Sequence, residues 1–137
     1  MNEQECWDLL NSARSAVLGT VHKQRGVDAV PVVFAERGED LVTPVDRVKA
    51  KAHAALQRVR NIEADPRCVL LADHYSDDWT SLWWVRAHCR ASVIAPERTP
   101  DAVAALAAKY QAYRDPDAID QVIVLRVTDL AGWHAQN

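Results

Sequence analysis

Hydrophobic and polar positions along this chain repeat with two periods, one near two and one near 3.6. The switches between them divide the chain into elements. Asn2, followed three residues later by Glu5, resembles a capping box. Cys6, Leu9, Leu10 and Ala13 then share one helical face, so the first helix is predicted to end near Arg14. Residues 15–23 and 27–35 are β-rich runs joined by Gln24, Arg25 and Gly26, a hairpin signal. Residues 36–40, with Gly38, turn the chain into a third strand at 41–45. Helical spacing then places Val48, Ala52, Ala55, Leu56, Val59 and Ile62 on one face, with Asp46 as N-cap and Asp65-Pro66 as the stop. Residues 67–73 form a strand, residues 74–78 an acidic loop, and a long tryptophan-bearing strand follows. Thr99-Pro100-Asp101 starts a third helix, whose buried stripe is Val103, Leu106, Ala107 and Tyr110. Residues 121–128, apolar on both faces, complete six strands and three helices. The pattern predicts one compact, mainly β barrel of α+β type spanning residues 1–137.

The tryptophan strand has two unlike faces. Ser81, Trp83, Val85, Ala87, Cys89, Ala91 and Val93 alternate with Leu82, Trp84, Arg86, His88, Arg90 and Ser92. The first set reads as the inside of a small barrel. The second sets an indole among cationic groups and needs a cover, either a flat anionic ligand or a partner subunit. Pro31 and Pro44 add a second sign. Proline cannot donate to a ladder, so two successive strands that each carry one suggest either a barrel that parts locally or two unrelated edge positions.

Composition narrows the function. The length suits one domain, and 49% hydrophobic residues support an ordinary core. No apolar run is long enough to cross a bilayer, and the acidic N-terminus lacks the shape of a secretion signal, so no membrane partner and a cytoplasmic location are expected. Cys6, Cys68 and Cys89 are odd in number and contain no CxxC pair. They read as buried thiols rather than disulfides or zinc ligands. Between Arg47 and Arg60 lie five cations (Arg47, Lys49, Lys51, Arg58 and Arg60) and no acid, in a chain of net charge −3. A local basic patch on an acidic protein suits a discrete anionic ligand and argues against nucleic acid.

The helix ending Arg58-Val59-Arg60-Asn61-Ile62-Glu63-Ala64-Asp65-Pro66-Arg67, followed by the strand Cys68-Val69-Leu70-Leu71, resembles the split β-barrel flavoproteins of the pyridoxamine 5'-phosphate oxidase-like superfamily. Asp73-His74-Tyr75-Ser76-Asp77-Asp78-Trp79 and Leu82-Trp83-Trp84-Val85-Arg86 are closer still to one actinobacterial branch, whose members use the deazaflavin coenzyme F-420. The likeness covers residues 16–133. It implies a six-stranded FMN-binding split barrel, assembled as a homodimer with two cofactor clefts at the interface. It also implies that Arg58 and Arg60 hold the cofactor phosphate, with Lys49 and Lys51 reaching a phosphate or polyglutamate tail. Backbone at Pro31-Val32-Val33 and Thr43-Pro44-Val45 would line the flat ring. Two positions depart from the pattern. Cys89 stands where relatives usually carry glycine, and Leu130 where an aromatic is expected before Gly132-Trp133.

Arginine suits phosphate because its guanidinium is a rigid donor fork that stays charged. On a regular helix, however, Arg58 and Arg60 diverge by about 200°. Trp83 reads as core, Trp84 as dimer seam or cofactor cleft, and Trp79 as its rim. Arg86 shares the face of Trp84 and contacts either cofactor, substrate or a structural ion-pair partner. His74 with Asp73, Asp77 and Asp78 fits no recognised metal spacing and reads as a solvated turn, so no metal is expected. No glycine-rich phosphate loop and no evident general acid or base is present. That suits a cofactor that carries the chemistry itself. The reading is a homodimeric oxidoreductase passing hydride between F-420 and a small conjugated substrate. The alternatives are the same fold using FMN, a non-catalytic binder of deazaflavin, flavin or haem, or a structural dimer with a vestigial cleft.

Overall fold

The computed structural model describes residues 1–47 and 53–136. Seven antiparallel strands form one sheet: β1 (Ala16–His22), β2 (Gly26–Val32), β3 (Ala35–Arg37), β4 (Asp40–Asp46), β5 (Arg67–His74), β6 (Trp83–Ile94) and β7 (Ile119–His134). Their spatial order is β2-β1-β5-β6-β7-β4-β3. Three α-helices join them: α1 (Glu3–Ser12), α2 (His53–Ala64) and α3 (Pro100–Lys109). The domain is mainly β, with seven strands rather than six. The additional strand comes from residues 27–35, expected as one run. Phe34 is fully buried and leaves the ladder, because the Tyr110 hydroxyl takes over both its backbone groups. Phe34 N donates to Tyr110 Oη at 3.2 Å, and Tyr110 Oη lies 2.8 Å from the Phe34 carbonyl. The chain jogs there and re-enters the sheet as β3.

The sheet curls around one apolar interior that draws on both of its ends. Leu18 of β1, Val32 of β2, Val45 of β4, Leu70 of β5, Val85 of β6 and Ile123 of β7 all belong to it. Cys6 and Leu10 of α1, with Val59 and Ile62 of α2, close it at either side. A second core lies under α3, where Leu106 and Tyr110 cover Val42, Val122 and Val124. This explains why the first half of β7 is apolar on both faces: Ile123 and Leu125 serve one core, and Val122 and Val124 the other. In β6, Val85, Ala87, Cys89 and Ala91 are buried while Arg86, His88, Arg90 and Ser92 are exposed, as the alternation predicts. A β-bulge against β7 falls between His88 and Cys89.

Local signals set the helix ends. Asn2 Oδ1 accepts from Glu5 N at 2.9 Å, the expected cap, and α1 ends within two residues of Arg14. Asp46, expected to cap the second helix, closes β4, and the positions it would cap lie outside the described residues. Its carboxylate accepts from Tyr113 Oη at 2.7 Å. The predicted helical positions Val48 and Ala52 lie outside the described residues. Helix α1 approaches β7 so closely that a Cβ on Gly132 would stand 2.6 Å from Met1 Sδ and 2.9 Å from Cys6 Sγ. Among the described residues no helix is long and apolar enough to cross a membrane.

Lys109, at the end of α3, carries its ammonium into this packing. Nζ is buried without a hydrogen-bond partner among the described residues and lies 4.1 Å from the Phe34 ring centre. Burial, reinforced by the charge of Arg14 and partly opposed by Glu36, lowers its pKa to about 8. The unfolded chain therefore binds this proton first as pH falls from the ordinary lysine range, and folding stability falls with it until pH 8. Stability should rise between pH 8 and 10. Lys109→Met should flatten that slope and raise the unfolding midpoint at pH 7, as measured by urea unfolding across the pH series.

Candidate functional site

The curled sheet does not close between β2 and β4. β2 is an edge strand throughout, and β4 pairs with β3 only as far as Val42. Residues 43–46 therefore present one backbone edge to the gap while the other edge pairs with β7. Both prolines of the sheet occupy these edges. Pro44 directs its carbonyl to Arg58 Nη2, at 3.3 Å. The N and C=O of one residue in an extended strand face the same side, so the N–H that Pro44 lacks would also face the gap, and β7 loses no hydrogen bond. Thr43 Oγ1 donates across the gap to the Val33 carbonyl at 2.7 Å. The barrel parts locally.

Helix α2 sits over this opening because Val59 and Ile62 pack into the interior, which turns Arg58 inward beside them. Arg58 is only 8% exposed. Burial weakens its hold on the proton, opposed by the nearby Asp46 and Tyr113. Its Nε has no hydrogen-bond partner among the described residues. Such a group is costly to leave unmade and is a natural seat for an acceptor oxygen. Arg58 lines a cleft of about 400 Å³ between α2 and the free edge of β2, together with Thr20, Arg25, Asp28, Val30 and Gln57.

A hydrogen-bonded chain fixes the cleft wall. Asn61 Nδ2 donates to Thr20 Oγ1 at 3.0 Å and to Asp28 Oδ2 at 2.9 Å, pinning α2 to β1 and β2. Gln57 Nε2 donates to Asn61 Oδ1 at 2.9 Å. Arg25 grips Asp28 with two bonds of 3.0 and 2.9 Å. Arg25 first, and Asn61 second, hold the Asp28 carboxyl below the usual carboxylate range. None of Arg25, Asp28, Gln57 and Asn61 stood out as a site residue in the sequence. The available signal was the four-residue spacing of Gln57 and Asn61, which puts both on the helix face beside Arg58.

The other expected residues are dispersed. Arg60 points away from Arg58, donates to Gln57 Oε1 at 3.0 Å and lines a separate polar cavity of about 480 Å³ with His22, Lys23 and Asp65. Helix geometry thus separates the two arginines, and only Gln57 walls both cavities. Lys49 and Lys51 lie outside the described residues. Thr43, Pro44, Val45 and Val32 are buried, Val33 is partly buried and Pro31 is exposed on β2. The Thr43 and Val45 side chains serve the interior, so only backbone is offered there. Trp79 is 77% exposed in the short 3-10 turn Trp79–Ser81.

Trp84 and Arg86 lie on the outer sheet face, with the Arg86 guanidinium 5.2 Å from the centre of the Trp84 ring. Within one chain they do not share the Arg58 cleft, since β1 and β5 separate β6 from β2. Register places Pro31, Val17, Leu71, Arg86 and Ala131 in one row across that face, with Trp84 opposite Trp133 in the next. Val17, Val27, Leu71 and Trp133 are all exposed there. The result is a contiguous apolar surface of the kind that marks an interaction face.

Similarities to known proteins agree with this architecture. A conserved hypothetical protein of Mycobacterium tuberculosis superposes with TM-score 0.76 at 18% identity, over 98% of this chain and 85% of that one. An FAD-binding protein of Mesorhizobium loti does so with TM-score 0.69 at 17% identity, over 96% and 94%. The haem storage protein of Vibrio cholerae gives TM-score 0.71 at 13% identity, over 96% and 93%. At these identities the likeness is one of fold. No curated protein sequence matches. The sequence pattern of pyridoxamine 5'-phosphate oxidase matches residues 3–134, nearly the whole chain, and the protein belongs to that family.

Proposed function

We propose that the protein is an oxidoreductase that binds coenzyme F-420 in the cleft between α2 and the β2 edge, completed by a second copy of the chain. One observation carries this reading: the buried Arg58, whose Nε has no partner among the described residues, lines a cleft walled by an unpaired strand edge. Its volume of about 400 Å³ falls within the range of small-ligand pockets. Arg58 would take the cofactor phosphate, and the backbone of β2 and of Thr43-Pro44-Val45 would face the planar ring. Arg60, Lys49 and Lys51 would meet the more distal anionic groups. The Asp28–Asn61–Gln57 chain holds the helix so that Arg58 needs no rearrangement to bind. When bound, the deazaflavin supplies two-electron hydride transfer to an electron-poor double bond of a small substrate. The protein's part is to orient both and exclude water.

The outer sheet face supports the second copy. Val17, Leu71 and Trp133 are exposed there, beside the half-buried Trp84 and the Arg86 that stacks on it. Covering them with the same face of another chain would bring one copy's aromatic and cationic groups towards the other's cleft. FMN or FAD is the second reading. It is favoured by the FAD-binding protein of the same fold, and the Arg58 contact would serve its phosphate equally.

Parallel titrations with F-420 and FMN, followed by quenching of the intrinsic tryptophan fluorescence, separate these readings. Saturable quenching by F-420 is expected. Arg58→Met should weaken it by roughly 10- to 100-fold, the worth of a charge-assisted hydrogen bond. The same substitution should leave stability within about 1 kcal/mol of the parent, because a poorly satisfied buried cation is replaced by an apolar chain of similar length. An unchanged titration in Arg58→Met would remove the phosphate contact, and saturation by FMN alone would transfer the site to a flavin. Sedimentation should give a two-chain species that Leu71→Lys converts to one chain with an unaltered circular dichroism spectrum. A wild-type particle of 15.3 kDa would refute the shared site.

A further inference from the structure

A second cavity, of about 380 Å³, shares no lining residue with the Arg58 cleft. It is bordered by α1, the turn Trp79–Ser81, the start of β6 and the end of β7. Leu9, Leu82, Trp83 and Ala135 give it apolar walls. Trp83 packs against the interior yet is only partly buried, which leaves part of its indole to line the cavity. An apolar lining with a few convergent polar groups is the usual make-up of a small-ligand site, and the volume falls in that range.

Those polar groups are acceptors. His134 Nδ1 lies 3.0 Å from the Ala135 carbonyl. A carbonyl only accepts, so Nδ1 carries the proton, and a neutral imidazole then presents Nε2 as a second acceptor. Nε2 lies 3.5 Å from Glu5 Oε2, so two acceptors face one another with no hydrogen between them. Asp8 Oδ1 accepts from Gln4 at 2.9 Å, which leaves Oδ2 without a partner among the described residues. The hydroxyl protons of Thr80 and Ser81 are already given to Asp78, at 2.7 and 2.9 Å. Among the described residues no lysine or arginine lines the cavity, and the Met1 amine forms no ion pair with Glu5 or Asp8.

We propose that this cavity binds a small primary ammonium ion with an apolar body, an aralkyl amine in chemical class. The ammonium would sit between Glu5 and His134 Nε2, with Asp8 supplying the second negative charge. Its N–H donors then meet acceptors that the chain leaves without protons. The apolar body lies along Trp83 and Leu9. An anion is repelled there, so the site is separate from any that takes a phosphate.

Three probes of one shape test this: phenethylamine, 2-phenylethanol and 3-phenylpropanoate, which carry positive, neutral and negative ends. Calorimetric titrations are run at about pH 8, where an alkylamine keeps its proton. Phenethylamine should saturate, 2-phenylethanol should bind about 10-fold more weakly or worse, and 3-phenylpropanoate should not bind. Benzyltrimethylammonium, which keeps the ring and charge but has no N–H, should also fall behind phenethylamine. Glu5→Gln and Asp8→Asn should each weaken the amine by roughly 3- to 10-fold with unaltered circular dichroism, and together bring it to the level of the alcohol. The indole N–H resonance of Trp83, assigned through Trp83→Phe, should shift as phenethylamine is added. Arg58→Met should bind the amine as the parent does, which keeps this result apart from the cofactor assignment. Equal affinity for amine and alcohol, an amine affinity untouched by both carboxylate substitutions, or an unmoved Trp83 resonance would overturn the proposal.

Discussion

Everything at the candidate site follows from one constraint: the curled sheet cannot pair β2 with β4, so two strand edges must be satisfied by other means. Short edges can be left to water, but these flank the main core, where Val32 and Val45 are buried. The chain answers with α2. Its apolar residues plug the interior, and its Arg58 supplies a donor to the Pro44 carbonyl that has no strand neighbour. A neutral side chain could have filled the volume with less desolvation. A guanidinium whose Nε finds no partner among the described residues is the feature on which the proposed binding role rests.

On the proposed reading the same parting leaves one chain's site incomplete. Among the described residues the cleft offers a cation, a strand edge and a hydrogen-bonded wall, yet no aromatic ring. The aromatic and cationic pair of Trp84 and Arg86 sits on the outer face of β6, in line with an exposed apolar row. A planar anionic ligand needs both kinds of surface, and within one copy they are held apart by rigid, fully paired strands. The proposed self-association through the outer face would join them and would also remove Val17, Leu71 and Trp133 from water.

Local physics made much of this legible in the sequence. The Asn2 cap, the alternation of β6, the two-sided burial of β7 and the edge character of Pro31 and Pro44 all depend on near neighbours or on strand period. The missed features depend on distant residues. The jog at Phe34 is created by Tyr110, far along the chain, and the Asp46 carboxylate accepts from Tyr113, likewise distant in sequence. The inward turn of Arg58 could not be read from charge, because a basic run ordinarily marks a solvated face. The divergence of Arg58 and Arg60, in contrast, was a matter of helix geometry and is what the structure shows.

Register supplies the remaining link, and it is invisible to any local pattern. On the inner face Cys89 opposes Cys68, and Cys68 in turn opposes Thr20 on β1. Thr20 is the residue whose hydroxyl anchors Asn61, and through it the helix that carries Arg58.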